Sequence, residues 1–322
     1  MTSIAAVPLF LASLLATLIA ARMFARRLDR LGTRFGLPEA LIGLLTALAA
    51  DGPEISSALF ALIRGEHGVS VGVLVGSNAF NLAAMIGLTG LLAGSIRLSR
   101  DTLLLEGSAG ACVMLIGVAV LLGWLAPVLA VALTACVLIP YVLAVSGANR
   151  FLGRLAGTLD PEPPKPRPRD PTSDDPTHHL LGLIVLDVTL IVAGSVGMVQ
   201  AALTLGEHWG ISTAVLGTLI LAPLTSLPNA VTAARLGLAG RGAALVGETF
   251  NSNTINLAAG VIAPSLFVTF TAPSATAKLQ LGWLVAMTCV CLLALARNHG
   301  MRRPEAAAVI ALYAGFVSIQ LA

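Results

Sequence analysis

The chain has 322 residues, 57% of them hydrophobic and only 11% charged, with a mean hydropathy of +0.90 and a formal net charge of +3. Soluble domains carry about 25% charged residues, so this composition excludes a water-soluble globule of the same size. The lipid bilayer is the main solvent, and the small positive charge is a topology signal that implies no nucleic-acid partner.

Apolar runs of roughly 18 residues or more, enough for a helix to cross about 30 Å of hydrocarbon, occur near 4–21, 37–63, 69–95, 102–122, 125–147, 180–201, 211–234, 243–268, 280–296 and 305–321. The predicted fold class is an all-α integral membrane protein with ten transmembrane helices. No basic residue precedes the first run and its arginines follow it, which reads as a retained span with its N-terminus outside. Seventeen of the 19 lysines and arginines fall in alternate loops, leaving only Arg64 and Lys278 on the other side. By the positive-inside rule the basic side is cytoplasmic, which places a multi-pass protein in the plasma (inner) membrane with both termini outside. Trp124, Trp209 and Trp283 fall at the expected outer boundary. Cys112, Cys136, Cys289 and Cys291 lie inside apolar runs and read as small buried hydrophobes.

One long polar segment, 149–179, carries seven prolines among mixed charges and reads as a cytoplasmic linker. His178 and His179 at its end read as a solvated loop end. The linker separates a first five-helix unit, 1–148, from a second, 180–322. Shifting the sequence by 175 residues superposes the two units: Ala47 meets Ala222, Pro53 meets Pro228, and Ser77, Asn78 and Asn81 meet Ser252, Asn253 and Asn256. Five spans is an odd number, so the second copy enters the membrane from the opposite face. Such inverted repeats place substrate sites near the midplane on interrupted helices.

The second run contains Asp51, Gly52, Pro53 and Glu54. Each carboxylate costs at least about 2.5–3.5 kcal/mol at the centre of a spanning helix, and the sequence offers no lysine or arginine in the middle of any run to offset it. Pro53 frees the carbonyl of Ala49, which in lipid needs protein, water or an ion beside it. Asp51 and Glu54 are three apart and share a helix face; anionic oxygens in a kink suit Na+ or Ca2+. The cognate stretch of the second copy is Pro223, Leu224, Thr225, Ser226, Leu227, Pro228 and Asn229, with neutral oxygens. Ser77 with Asn81, and Ser252 with Asn256, form a polar stripe in each copy. Glu248 extends the second stripe toward the cytoplasmic side, as a third ligand, a proton carrier or a gate, with a solvated helix end as the equal alternative. Asp187 and Glu106 are further acids without a repeat partner.

These stretches resemble the signatures of the cation/calcium exchanger superfamily, and of its sodium/calcium exchanger branch most of all. The family pattern is close to Gly-Thr-Ser-x-Pro-Glu followed by Gly-Ser-Asn-x-Phe-Asn or Asp. Here the first copy reads Ala49-Ala-Asp-Gly-Pro-Glu54 with Gly76-Ser-Asn-Ala-Phe-Asn81, and the second Leu224-Thr-Ser-Leu-Pro-Asn229 with Asn251-Ser-Asn-Thr-Ile-Asn256. The resemblance implies ten spans in two inverted halves and a midplane diamond of oxygens. Glu54 would be the central carboxylate, helped by Ser77, Asn81 and the Ala47 carbonyl, with Thr225, Ser226, Ser252 and the Ala222 carbonyl from the other half. The chain departs from the pattern at Asn229 and Asn256, where acids are usual, and at Asp51, where serine is. Both acids therefore fall in one repeat, and an altered ion choice or stoichiometry is expected.

The functional expectation is a non-enzymatic, cofactor-free secondary antiporter of inorganic cations, exchanging Na+ for Ca2+. The alternatives are a proton-coupled divalent cation exchanger and a transport-inactive membrane scaffold. No phosphate loop or nucleophile–base pair suggests a pump or hydrolase.

Overall fold

The computed structural model describes residues 3–35, 45, 47–145, 177–270, 273–297 and 300–321. Linker residues 149–176, and residues 37–44 and 46 of the second apolar run, lie outside the described residues. Thirteen elements organise the rest: α1 (Ser3–Arg34), α2 (Gly52–Ile63), α3 (His67–Ala93), β1 (Ser95–Arg97), α4 (Arg100–Leu121), α5 (Pro127–Val145), α6 (Thr177–Trp209), α7 (Thr213–Thr225), α8 (Leu227–Leu238), α9 (Gly242–Leu257), α10 (Ala275–Arg297), β2 (Gly300–Arg302) and α11 (Arg303–Leu321). Among the described residues seven helices are long and apolar enough to cross a membrane, or eight if the bent pair α7 and α8 is one span.

The duplication read from the sequence is repeated in the backbone. α2 and α8 are both 12 residues long, with start and end displaced by the same 175 positions, and α3 and α9 start in the same register. The breaks before them coincide as well: Asp51 (φ −80°, ψ −1°) and its cognate Ser226 (φ −84°, ψ −2°) hold the chain at each kink. Pro53 and Pro228 then start the next helix, where a missing amide hydrogen is tolerated. Across the second break α7 and α8 are bent by 48°. Each short helix ends on a glycine in left-handed conformation, Gly65 (φ 79°) and Gly240 (φ 71°), which a side chain would oppose. α3 and α9 both continue into π-helical turns, Leu82–Leu88 and Ala258–Ile262.

Four differences from the sequence reading have physical causes. α1 and α6 span 32 and 33 residues, about 48–50 Å at 1.5 Å per residue, because charged turns prolong the apolar runs at 4–21 and 180–201 and the two helices pack along each other. A small antiparallel sheet, β1 with β2, supplements the expected all-α fold by pairing Ser95 with Arg302 and Arg97 with Gly300. Cys291 is buried, but Cys112, Cys136 and Cys289 lie on the outer surface of the helical body, where an apolar solvent accepts them. Arg27, beyond the first apolar run in sequence, lies inside α1 and forms an ion pair with Asp187 of α6.

The core runs along α3, whose membrane window is 89% buried, whereas α5 and α11 are covered over 17% and 22% of theirs. Glycine makes that central position reachable. A Cβ on Gly76 would lie 2.6 Å from the Thr218 carbonyl oxygen and 2.8 Å from the Ala222 Cβ, so α3 and α7 meet nearly backbone to backbone. This is the small-residue packing expected where lipid removes the hydrophobic drive between helices. Gly76→Val is expected to lower the thermal unfolding temperature in detergent, by about 1–3 kcal/mol of overpacking. Gly182→Ala on α6, where nothing lies within 4 Å of the added carbon, is expected to be neutral or to stabilise by up to about 1 kcal/mol.

Candidate cation site

The two kinks and the two polar stripes converge on one buried cluster. Asp51 ends the turn before α2 and Glu54 sits in the first turn of α2; both are fully buried. Opposite them, Ser226 occupies the α7–α8 break and Asn229 the first turn of α8. The Ser226 hydroxyl donates to Glu54 Oε1 at 2.9 Å, and the Asn229 amide donates to Asp51 Oδ1 at 2.7 Å. Ser252 on α9 also donates to Asp51 Oδ1, at 2.6 Å, and accepts from Asn81 of α3 at 3.0 Å.

A reciprocal amide lattice closes the cluster between α3 and α9. Asn78 donates to the Asn253 carbonyl at 3.2 Å, and Asn253 returns the bond to the Asn78 carbonyl at 3.1 Å. Asn81 donates to Asn253 Oδ1 at 3.0 Å, and its cognate Asn256 donates to Asn78 Oδ1 at 3.2 Å. These four bonds map onto one another under the 175-residue shift. They therefore mark a local two-fold axis passing between Asn78 and Asn253, by the self-complementarity that any two-fold contact shows.

Five oxygens of this cluster are buried and have no hydrogen-bond partner: Asp51 Oδ2, Glu54 Oε2, Ser77 Oγ, Asn81 Oδ1 and Asn256 Oδ1. Among the described residues neither carboxylate meets a basic side chain, whereas Asp187 forms an ion pair with Arg27. Removing a carboxylate from water costs several kcal/mol even after relaxation, and unpaired buried acceptors add about 1–3 kcal/mol each. Acceptors in excess of donors, all of them hard oxygens, are the donor set that Na+ and Ca2+ take.

The remaining predicted positions are placed as follows. Thr225 is buried beside the break, with its hydroxyl turned back to the Leu221 and Ala222 carbonyls at 3.0 and 3.1 Å. The Ala222 carbonyl also accepts from the Ser226 amide, as the Ala47 carbonyl accepts from Asp51. Glu248 is half-buried, one helical turn before Ser252 on α9. Asp187 is removed from the cluster by its pairing with Arg27, which also donates to the Leu183 carbonyl at 3.1 Å. Glu106 on α4 accepts from Tyr141 of α5 at 2.7 Å, and Tyr141 in turn touches Asn251 Oδ1 at 2.6 Å. The sequence pairs Asn78 with Asn253 as repeat equivalents but does not single them out as site residues. Their exact correspondence in the two copies is the signal that marks them as the centre of the lattice.

A duplicated helical body in the membrane, broken twice at its centre around acceptor-rich oxygens, defines a protein of the secondary-transporter type. The sequence matches the sodium/calcium exchanger protein family over residues 5–148 and 179–322, and the chain belongs to that family. It is 29% identical over 238 residues to a putative antiporter, CaxA, of Alkalimonas amylolytica, covering 68% of this chain and 67% of that one. Its fold is similar to that of the H+/Ca2+ exchanger CAX, with a TM-score of 0.73 at 13% identity over 98% of this chain and 86% of the other. It is also similar to the sodium-calcium exchanger NCX_Mj in crystals soaked with Na+ and Sr2+, with a TM-score of 0.61 at 20% identity over 98% and 99% of the two chains. YfkE shares the fold too, with a TM-score of 0.67 at 16% identity over 97% and 91%.

Truncating either member of the amide lattice tests its two-fold character. Asn78→Ala and Asn253→Ala are each expected to destabilise by about 1–3 kcal/mol for every buried group left unpaired. Thermal unfolding of the purified protein should give similar losses for the two, and the double variant should lose less than their sum, because they share the same bonds.

Proposed function

We propose that the chain is a secondary active antiporter that exchanges Ca2+ for Na+ by alternating access at the Asp51–Glu54 cluster. In this reading ten spans form two inverted five-helix units, 1–148 and 180–322, joined by the cytoplasmic linker 149–179, with both termini outside. The observation that carries it is the set of five buried oxygens that, among the described residues, have no partner, around two carboxylates without a counter-charge there. A mobile cation satisfies all of them at once, and a second cation competing for the same oxygens is what antiport requires. Family membership and the antiporter relative support the same reading.

Glu54 is the central ligand, with Asp51, Ser77, Asn81, Ser226, Ser252 and Asn256 as oxygen donors. Asn229 orients the Asp51 carboxylate, Thr225 and the Ala47 and Ala222 carbonyls shape the kinks, and Glu248 lies on the approach along α9. Proton coupling is the second reading, favoured by the position of Glu248, a half-buried carboxylate one helical turn before Ser252 that gives a proton a further acceptor on α9.

Radiolabelled Ca2+ uptake into proteoliposomes, driven separately by an outward Na+ gradient and by a pH gradient, decides between them. Sodium-driven uptake is expected. Uptake driven only by the pH gradient transfers the reading to proton coupling, and failure to bind or move Na+, Ca2+, Mg2+, Mn2+ or H+ leaves a scaffold. Glu54→Gln and Asp51→Asn are each expected to abolish transport while the protein still elutes as a folded species.

Two formal negative charges balance one Ca2+ or two Na+. Exchange is therefore expected to be independent of an imposed membrane voltage; strong voltage dependence of the same flux would refute a two-for-one stoichiometry.

A further inference from the structure

In the sequence both acids of the cluster belong to the first copy, which suggests a lopsided site. In space they are not on one side. The 175-residue shift relates Asp51 to Ser226 and Glu54 to Asn229. The hydrogen bonds cross between copies, joining Asp51 to Asn229 and Glu54 to Ser226, so the two contacts are images of each other under the local two-fold. Each contact holds one carboxylate and one neutral partner, and in each the carboxylate keeps one oxygen bonded and one partnerless, Asp51 Oδ2 and Glu54 Oε2.

We infer that Asp51 and Asn229 form a charge-exchanged pair: the cluster requires one carboxylate in each two-fold-related contact, and either copy can supply it. The physical reason lies in the contact distance. Two carboxylates facing each other at the 2.7 Å now spanned by Asp51 and Asn229 would repel strongly in a buried site. A contact with no carboxylate would leave a cation without half of its counter-charge. Of the arrangements of two acids over the four positions, only those with one per contact avoid both penalties. Asp51 therefore does the electrostatic work of an acid at position 229, and Asn229 does the work of a neutral donor at position 51.

This inference rests on the antiporter reading for its transport readout, and on stability for an independent one. Four proteins are compared: the unaltered chain, Asp51→Ser, Asn229→Glu, and the double variant. Each is purified in detergent, checked for a single folded species by gel filtration, and measured both for thermal unfolding and for Ca2+ flux in proteoliposomes. Each single change is expected to reduce flux at least about tenfold, and the double variant to recover to within a few-fold of the unaltered chain, a coupling that distant, independent sites do not show. In thermal unfolding Asn229→Glu alone is expected to be the least stable, because it sets two carboxylates face to face, and adding Asp51→Ser is expected to restore it.

A double variant no more active and no more stable than the worse single variant overturns the proposal, as does an Asn229→Glu protein that matches the unaltered chain in both measurements. If no variant moves any cation but the stability recovery is present, the antiporter reading fails and the exchanged pair stands. If flux is sodium-driven in the unaltered chain but the two changes simply add, the pair fails and the antiporter reading stands. The mirror set, Glu54→Asn with Ser226→Asp, applies the same test to the other contact.

Discussion

The structure depends on holding two carboxylates out of water with, among the described residues, no cationic side chain beside them. A fixed Lys or Arg partner would have relieved the cost, and the fold shows that it can supply one, since Asp187 has Arg27. Around Asp51 and Glu54 it supplies hydroxyls and amides instead, each satisfying one carboxylate oxygen and leaving the other open. A permanent ion pair would have occupied these carboxylates; partial hydrogen bonding leaves one oxygen of each open, as the proposed exchange of ions requires.

The duplicated architecture is how the sequence reaches that arrangement. One kink supplies the carboxylates, and its image supplies neutral donors that meet them. The close approach depends on glycine at Gly76, because the cluster closes only if α3 lies against α7 without an intervening side chain. The amide lattice of Asn78, Asn81, Asn253 and Asn256 fixes α3 against α9 by bonds that repeat under the two-fold. The dihedral angles of Asp51 and Ser226 agree within a few degrees, although one residue is charged and the other is not. Backbone geometry here follows from the proline two positions later and not from the side chain at the break.

Much of this was legible in the sequence because it is written in local terms. Apolar length marked the spans, the proline spacing marked both kinks, and the 175-residue correspondence marked which residues have equivalents. What stayed hidden depends on which residues face each other across copies. The pairing of Asp51 with Asn229 cannot be read from a shift that aligns Asp51 with Ser226, so the acids looked concentrated in one half. Arg27 looked like a cytoplasmic loop residue because its apolar run stops early, yet α1 stays helical to Arg34 and carries the guanidinium to Asp187. The β1–β2 pairing joins loops about two hundred positions apart, each only three residues long and without the alternation that would announce a strand.

That short sheet also has a mechanical meaning. β1 leaves α3 and β2 enters α11, and at the same place a Cβ on Gly242, the first residue of α9, would run into the Arg97 backbone. The ladder itself ties the end of α3 to the start of α11, and α9 only abuts it through Gly242. Parting α3 from α11 at that end must peel main-chain bonds, whereas parting α3 from α9 breaks side-chain bonds and a close contact. The neighbours of α3 therefore differ in how firmly they are held to it, an asymmetry that the duplicated backbone does not itself contain.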